Sequence, residues 1–312
     1  MAPLAAGPAS PQSACPTAFG EVIGGHDLLA WRRQLLLLGG RAANLDWLLD
    51  LAGGLGWGEL QKLILRPERT VPLPGGRARV EALWRRHLLY GEPLQYLVGV
   101  CPWRDLELAV APGVLIPRQE TELLVDLALD TWGGDRPPRR WADLGTGSGC
   151  LAIALAQAIP GSLGLAVDLS VDALRQAGAN LASHGLQGRV QLLAGDWWQA
   201  VEPWWGRLEL VVANPPYIPT GLLADLDPVV RDHEPTLALD GGADGLTAIR
   251  RLVADAPAAL APGGLLLIEH HHDQSDAVLA LLRQAGLERV QAQYDLEGVA
   301  RFALAWRAEG ER

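Results

Sequence analysis

Apolar positions in the first third of the chain recur at the three-and-four spacing of a helix buried along one face. Leu28, Leu29, Trp31, Leu35 and Leu38 form the first run. Leu45 to Leu49, Leu60 to Leu65 and Val80 to Leu89 follow, the last with Arg85 and Arg86 turned outward. Gly39-Gly40, Gly53-Gly54 and the stretch 72–76 punctuate them. This predicts a small helical bundle reaching about Tyr90, with Trp31, Trp47, Trp57 and Trp84 in its core. Between 94 and 116 the period changes to alternation at Leu106, Leu108 and Val110, which predicts a hairpin, and a helix begins near Gln119.

From Arg140 onward, strand and helix alternate. Strands are predicted over 141–144, 163–167, 190–193, 208–213 and 264–269, with two more at 290–294 and 301–306. Helices are predicted over 150–159, 172–184, 245–260 and 275–285. Such alternation implies an α/β fold, a doubly wound and mostly parallel sheet. The chain thus divides into a disordered leader over 1–25, a helical domain over 26–92, a linker hairpin over 93–118 and an α/β domain over 119–312.

Composition narrows the partners. No apolar run approaches the roughly 20 residues that span a bilayer, so a soluble protein with no membrane partner is expected. Cys15, Cys101 and Cys150 lie far apart with no Cys-x-x-Cys pair, as suits a reducing, cytoplasmic compartment without disulfides or structural zinc. Residues 1–110 hold 11 Lys/Arg against 10 Asp/Glu; of the 26 and 36 in the whole chain, 15 and 26 remain for the rest. A nearly neutral N-terminal part and an acidic remainder argue against a nucleic-acid groove, which needs a clustered basic face.

Candidate chemistry sits at successive strand ends. After the first α/β strand stands Asp143-Leu144-Gly145-Thr146-Gly147-Ser148-Gly149-Cys150. Its glycines let backbone come close to a ligand at the carboxyl edge of the sheet. Their spacing is G-x-G-x-G rather than the dinucleotide G-x-G-x-x-G, which points to the loop of S-adenosylmethionine-dependent methyltransferases. Asp168, about 20 positions on, can accept hydrogen bonds from ribose hydroxyls. Asp196 and Trp197 could flank adenine. Singly, Asp168 also reads as an acid at a helix N-terminus and Trp197 as core.

Asn214-Pro215-Pro216-Tyr217 follows the strand 208–213. Two prolines forbid both ladder pairing and helix, so the chain leaves the sheet extended. The Asn214 carboxamide and the Pro215 carbonyl offer two acceptors to an NH2 group, and the Tyr217 ring offers a flat face to the planar group bearing it. By itself the motif also reads as a strand end.

These residues resemble the protein-(glutamine-N5) methyltransferases that modify peptide chain release factors. The resemblance spans about 27–306 and includes Gly91-Glu92-Pro93-Leu94-Gln95-Tyr96, Val114 to Glu122 with its Ile116-Pro117-Arg118 core, and Glu234 to Gly242. It implies a Rossmann-like class I methyltransferase domain over 119–312. It further implies that Gly145, Thr146, Gly147, Ser148, Gly149, Asp168, Asp196, Trp197 and Asn214 bind S-adenosylmethionine. Asn214, Pro215, Pro216 and Tyr217 would hold the glutamine, with Asn214, Pro215 and Tyr217 catalytic. Pro117, Arg118, Thr121 and Glu122 would close the pocket. The acceptor implied is the Gly-Gly-Gln glutamine of release factors, approached by a monomer without direct contact to nucleic acid. A glutamine methyltransferase of a ribosomal protein is the nearest alternative, and an adenine or guanine exocyclic-amine methyltransferase a more distant one. The chain departs from the family at Glu269-His270-His271-His272, where Glu-Ile-Gly is usual. Neighbouring side chains of a strand face opposite ways and cannot converge on one ion, so no metal is expected.

Overall fold

The computed structural model describes residues 20–132 and 137–310. The chain divides into two compact units, one ending at Tyr90 and the other beginning at Gly91.

In the first unit, β1 (Glu21–Gly24) leads into α1 (Gly25–Leu37), α2 (Ala42–Leu51) and α3 (Trp57–Leu65). Then come β2 (Thr70–Leu73) and α4 (Arg77–Tyr90). The helical faces meet as their spacing requires: Leu28, Leu35, Leu45, Leu48, Leu60, Leu63, Val80 and Trp84 are buried. The Trp84 indole N–H donates to the Leu35 carbonyl at 3.1 Å, which lets a polar ring sit wholly inside. Trp57, expected in this core, is exposed at the first turn of α3.

The leader also needs correction. Residues 1–19 lie outside the described residues, but Glu21–Gly24 pairs antiparallel with Thr70–Leu73. Gly25 already belongs to α1. Pro72 hid the second strand. A two-stranded ribbon consists of edges alone, so a residue without an N–H is tolerated there, and Val71 and Leu73 face inward on alternate positions.

The second unit starts with α5 (Leu94–Val98) and the predicted hairpin, β3 (Val100–Trp103) with β4 (Leu106–Ala109). This hairpin is more than a tether. Trp103, Leu106 and Leu108 share one core with Leu124 and Val125 of α6 (Glu122–Thr131). The α/β series then runs β5 (Arg140–Leu144), α7 (Cys150–Ala158), β6 (Leu163–Asp168), α8 (Val171–Ser183), β7 (Val190–Ala194) and β8 (Leu208–Ala213). It continues with the one-turn α9 (Pro228–Arg231), α10 (Thr247–Ala259), β9 (Leu260–Glu269), α11 (Ser275–Gln284), β10 (Glu288–Tyr294) and β11 (Ala300–Trp306).

The seven strands lie in the order β10-β11-β9-β8-β5-β6-β7. β5 to β9 are mutually parallel, and at one edge β11 runs antiparallel between β9 and β10. Both faces are covered, which explains the near-continuous apolar runs of the central strands. On one face Leu210, Val212, Leu265 and Leu267 pack with α6 and α7. On the other, Val211, Ala213, Leu266 and Ile268 pack with α10 and α11. The strand order reverses between β5 and β8, and such a switch point opens a crevice at the carboxyl ends. Register aligns Leu144 with Val167 on one side and Ala213 on the other, and Ala213 with Ile268. The next residue on each strand is therefore Gly145, Asp168, Asn214 or Glu269, in one row along the crevice.

Candidate active site

A cavity of about 350 Å³ occupies that crevice. Gly145, Gly147, Asp168, Asp196, Trp197, Asn214 and Pro216 line it, so seven sequence candidates from four strand ends converge there. Thr146, Ser148, Gly149, Pro215 and Tyr217 lie outside this lining. Thr146 and Ser148 are buried beneath the loop, where the Thr146 hydroxyl donates to Asp143 Oδ2 at 2.6 Å. Gly149 caps α7 in the left-handed region and faces Ala177 of α8.

The glycine loop is pinned from below and open above. The Gly145 and Thr146 N–H groups donate to the Val167 carbonyl at 2.9 and 2.8 Å. Gly147 N–H donates to Asp168 Oδ2 at 2.8 Å, and Ser170 N–H donates to Oδ1 at 2.9 Å. Burial raises the Asp168 pKa, and those backbone donors oppose the rise. A Cβ on Gly147 would meet nothing within 4 Å, whereas one on Gly145 would lie 3.0 Å from the Trp197 ring. Trp197 itself has φ +48, a left-handed backbone that costs a non-glycine residue about 1–2 kcal/mol. The strain delivers its indole to the cavity wall, while Trp198 turns inward and donates to the Leu252 carbonyl at 2.8 Å. Asp196 pairs with Arg251, another lining residue.

Two further segments wall the cavity that spacing alone did not reveal: Gly113 to Leu115 from the linker, and Pro235, Leu237 and Ala238. Their positions explain why the motifs around them exist. The Tyr96 hydroxyl donates to the Val114 carbonyl at 2.5 Å, and the Trp103 indole donates to the Arg118 carbonyl at 2.7 Å. Glu234 is buried; one oxygen accepts from Ile116 N–H at 3.1 Å and the other from Arg118 at 2.7 Å.

Beside the cavity the Asn214 carboxamide is held by one end. Its Nδ2 donates to Thr121 Oγ1 at 2.9 Å, and that hydroxyl donates to Glu269 Oε2 at 2.7 Å. The Tyr217 hydroxyl approaches the other Glu269 oxygen at 3.4 Å. Burial pushes Glu269 up to about 7 and raises the Tyr217 phenol further above its ordinary value. The Tyr217 carbonyl accepts from Gln274 Nε2 at 2.9 Å, which fixes the backbone of the motif.

The histidine run begins only where β9 has ended, at Glu269. His270 is buried with Nδ1 on the His271 carbonyl, and His271 pairs with Asp273. Among the described residues, no three His, Cys, Asp or Glu side chains group as metal ligands would.

The cavity suits a nucleoside carrying a charged tail. It offers a carboxylate near a backbone approach that only glycine permits, and an indole wall.

Comparison with known proteins agrees. Residues 120–225 match the methyltransferase small domain. The chain is 50% identical to the release factor glutamine methyltransferase of Prochlorococcus marinus over 291 residues, covering 93% of this chain and 99% of that one. It is 42% identical to the one from Gloeobacter violaceus, covering 85% and 90%. Among solved structures, the hMettl16 catalytic domain covers 77% of this chain and 84% of its own at TM-score 0.51 and 16% identity, a likeness of fold alone. The expected class I methyltransferase fold is borne out, and S-adenosylmethionine is its methyl donor. No described helix is long and apolar enough to cross a membrane.

Proposed function

This chain belongs to the release factor glutamine methyltransferase family, and we propose that it methylates the side-chain N5 of the Gly-Gly-Gln glutamine in peptide chain release factors. It acts as a monomer in the cytoplasm, without nucleic acid or membrane as a direct partner. Gly145, Gly147, Asp168, Asp196 and Trp197 would hold S-adenosylmethionine, which would supply an electrophilic methyl group on sulfur. Thr146, Ser148 and Gly149 support that loop from within.

An amide nitrogen is a poor nucleophile because its lone pair is delocalised into the carbonyl. The chain's contribution is to place it. Asn214 Oδ1 and the Pro215 carbonyl accept its two N–H groups, and Pro216 and Tyr217 flank the planar amide. Both acceptors gain strength as positive charge develops on nitrogen, which favours the transition state over the bound substrate. The bound cofactor would supply its methyl group to the nitrogen held there and leave as the neutral thioether, and the amide proton would pass to water.

One observation carries this reading: Asn214 lines the same cavity as the glycine loop and Asp168, with its Nδ2 already committed to Thr121. Oδ1 is the end left for an acceptor. The test is Asn214→Ala, assayed with purified release factor, ribosomal protein and DNA as rival methyl acceptors. Loss of transfer to release factor, with cofactor binding by calorimetry within a fewfold of wild type, is expected. Undiminished turnover by the variant, or wild-type transfer to either rival instead, overturns it.

A further inference from the structure

A carboxamide has two ends of nearly the same shape and opposite hydrogen-bonding sense. If Asn214 were turned over, it would present NH2 to the NH2 of the acceptor, and the site would repel the group it must orient. Something has to choose the end. The Thr121 hydroxyl carries a single proton, and its oxygen stands between Asn214 Nδ2 at 2.9 Å and Glu269 Oε2 at 2.7 Å. An ionised carboxylate can only accept. The hydroxyl must therefore donate to Glu269, and its oxygen is then free only to accept, which draws in the NH2 end of Asn214.

We propose that Glu269 is a positioning residue that fixes, through the Thr121 hydroxyl, which end of the Asn214 carboxamide faces the acceptor nitrogen. This rests on the methyl-transfer reading above and adds to it a residue outside the acceptor motif. Thr121 and Glu269 are both buried, so water does not offer the hydroxyl a ready alternative partner.

The arrangement is sensitive to protonation. Glu269 faces Thr121, Glu120, the Tyr217 hydroxyl and Arg301, and Arg301 is itself held by Asp295 at 2.6 Å. Burial is the largest influence and, with Glu120, pushes the carboxyl up to about 7 against the hydrogen bonds and Arg301. Once protonated, Glu269 can donate to Thr121, whose own proton then turns to Asn214 and selects the wrong end. Turnover should fall as pH drops through that range.

The experiment compares wild type with Thr121→Ser, Thr121→Val and Glu269→Gln, on release factor, across pH. Wild type and Thr121→Ser are expected to show kcat falling below about pH 7. Thr121→Val and Glu269→Gln are expected to lose that limb and to drop in kcat by about 10- to 100-fold, with KM for release factor changed less than threefold. A flat wild-type profile, or a serine variant as impaired as the valine one, overturns the proposal. Resonances of the Asn214 side-chain amide, recorded without acceptor, separate this from the substrate assignment. They should move with the Glu269 titration in wild type and Thr121→Ser but not in Thr121→Val. If wild type methylates no release factor yet these shifts titrate, the substrate reading fails and the relay stands. If they do not titrate, the relay fails.

Discussion

Arg118 reaches Glu234 at 2.7 Å across 116 positions of chain, and the carboxylate it meets is buried while the guanidinium is about one-third exposed. The pair joins the two walls of the cavity that come from outside the sheet, Val114–Leu115 and Pro235–Ala238. Arg118→Ala strands a buried charge, with only the Ile116 N–H left among the bonds described. A loss of about 2 kcal/mol is expected, below the 3–5 typical when both partners are buried, because water can reach the vacated side. Urea denaturation measures it, and the KM for S-adenosylmethionine should rise severalfold as the walls loosen.

Gly145 and Gly147 separate fold from ligand. Ala at Gly147 meets no protein atom, so its cost is only the left-handed backbone at φ +56, about 1–2 kcal/mol. Its methyl nevertheless enters the cavity, which on the proposed assignment is the space of the cofactor. Gly147→Ala should melt within several degrees of wild type yet bind S-adenosylmethionine at least about tenfold more weakly. Gly145→Ala adds pressure on Trp197 and should lose both. Calorimetry beside a thermal melt distinguishes the two patterns.

Stability should depend on pH in a set direction. Burial pushes the fully buried Asp143 up to about 7 from the ordinary 3.8. A raised carboxyl pKa means that the folded state holds its proton more tightly than the unfolded chain. The contribution is therefore complete below about pH 4 and is lost as pH rises through 7. Glu269 acts in the same sense. Without cofactor, unfolding free energy should decline between pH 5 and 8 by an amount on the order of a few kcal/mol, seen as a falling melting temperature, and Asp143→Asn should flatten that decline. A melting temperature rising over this interval would count against the burial of these two groups.

Gly164 on β6 lies against Trp141 on β5, and any Cβ there would run into the indole ring. Trp141 is fully buried and tied by its N–H to Ser162 Oγ at 2.8 Å, so it cannot step aside. Gly164→Ala should cost about 1–3 kcal/mol by overpacking, without directly touching the cavity. Chemical denaturation gives the loss, and retained cofactor affinity at low temperature confirms that the damage is confined to the core.

Much of this site is legible in the sequence. Gly145, Asp168 and Asn214 each follow a strand whose apolar run is unmistakable, and parallel strands put their carboxyl ends on one edge whatever their order. The linker and Glu234 motifs pointed to the right family, although their part in walling the cavity needed the packing of Tyr96, Trp103 and Arg118 to be seen. The bond between Thr121 and Glu269 spans 148 positions and follows no local pattern, so no window of sequence contains it. The ribbon of Glu21–Gly24 with Thr70–Leu73 was hidden for a similar reason: each strand is four residues long, and one contains proline. The short helices at Trp197–Trp204 and Thr220–Asp225 are 3₁₀ and lack the period that betrays an α-helix.

The ladder that sets Leu144 beside Ala213, and Ala213 beside Ile268, makes the separation of Gly145, Asn214 and Glu269 a matter of strand phase. Exchanging side chains along β8 leaves that separation untouched. Deleting or inserting one residue within Leu208–Ala213 would exchange its two buried faces and carry Asn214 out of step with both Gly145 and Glu269. Descendants of this chain are thus held to the length of β8, while composition is restricted where packing is tight, as at Gly164 beside Trp141. Wherever they must adapt to a different acceptor protein, the change has to come from segments that join the sheet at its rim.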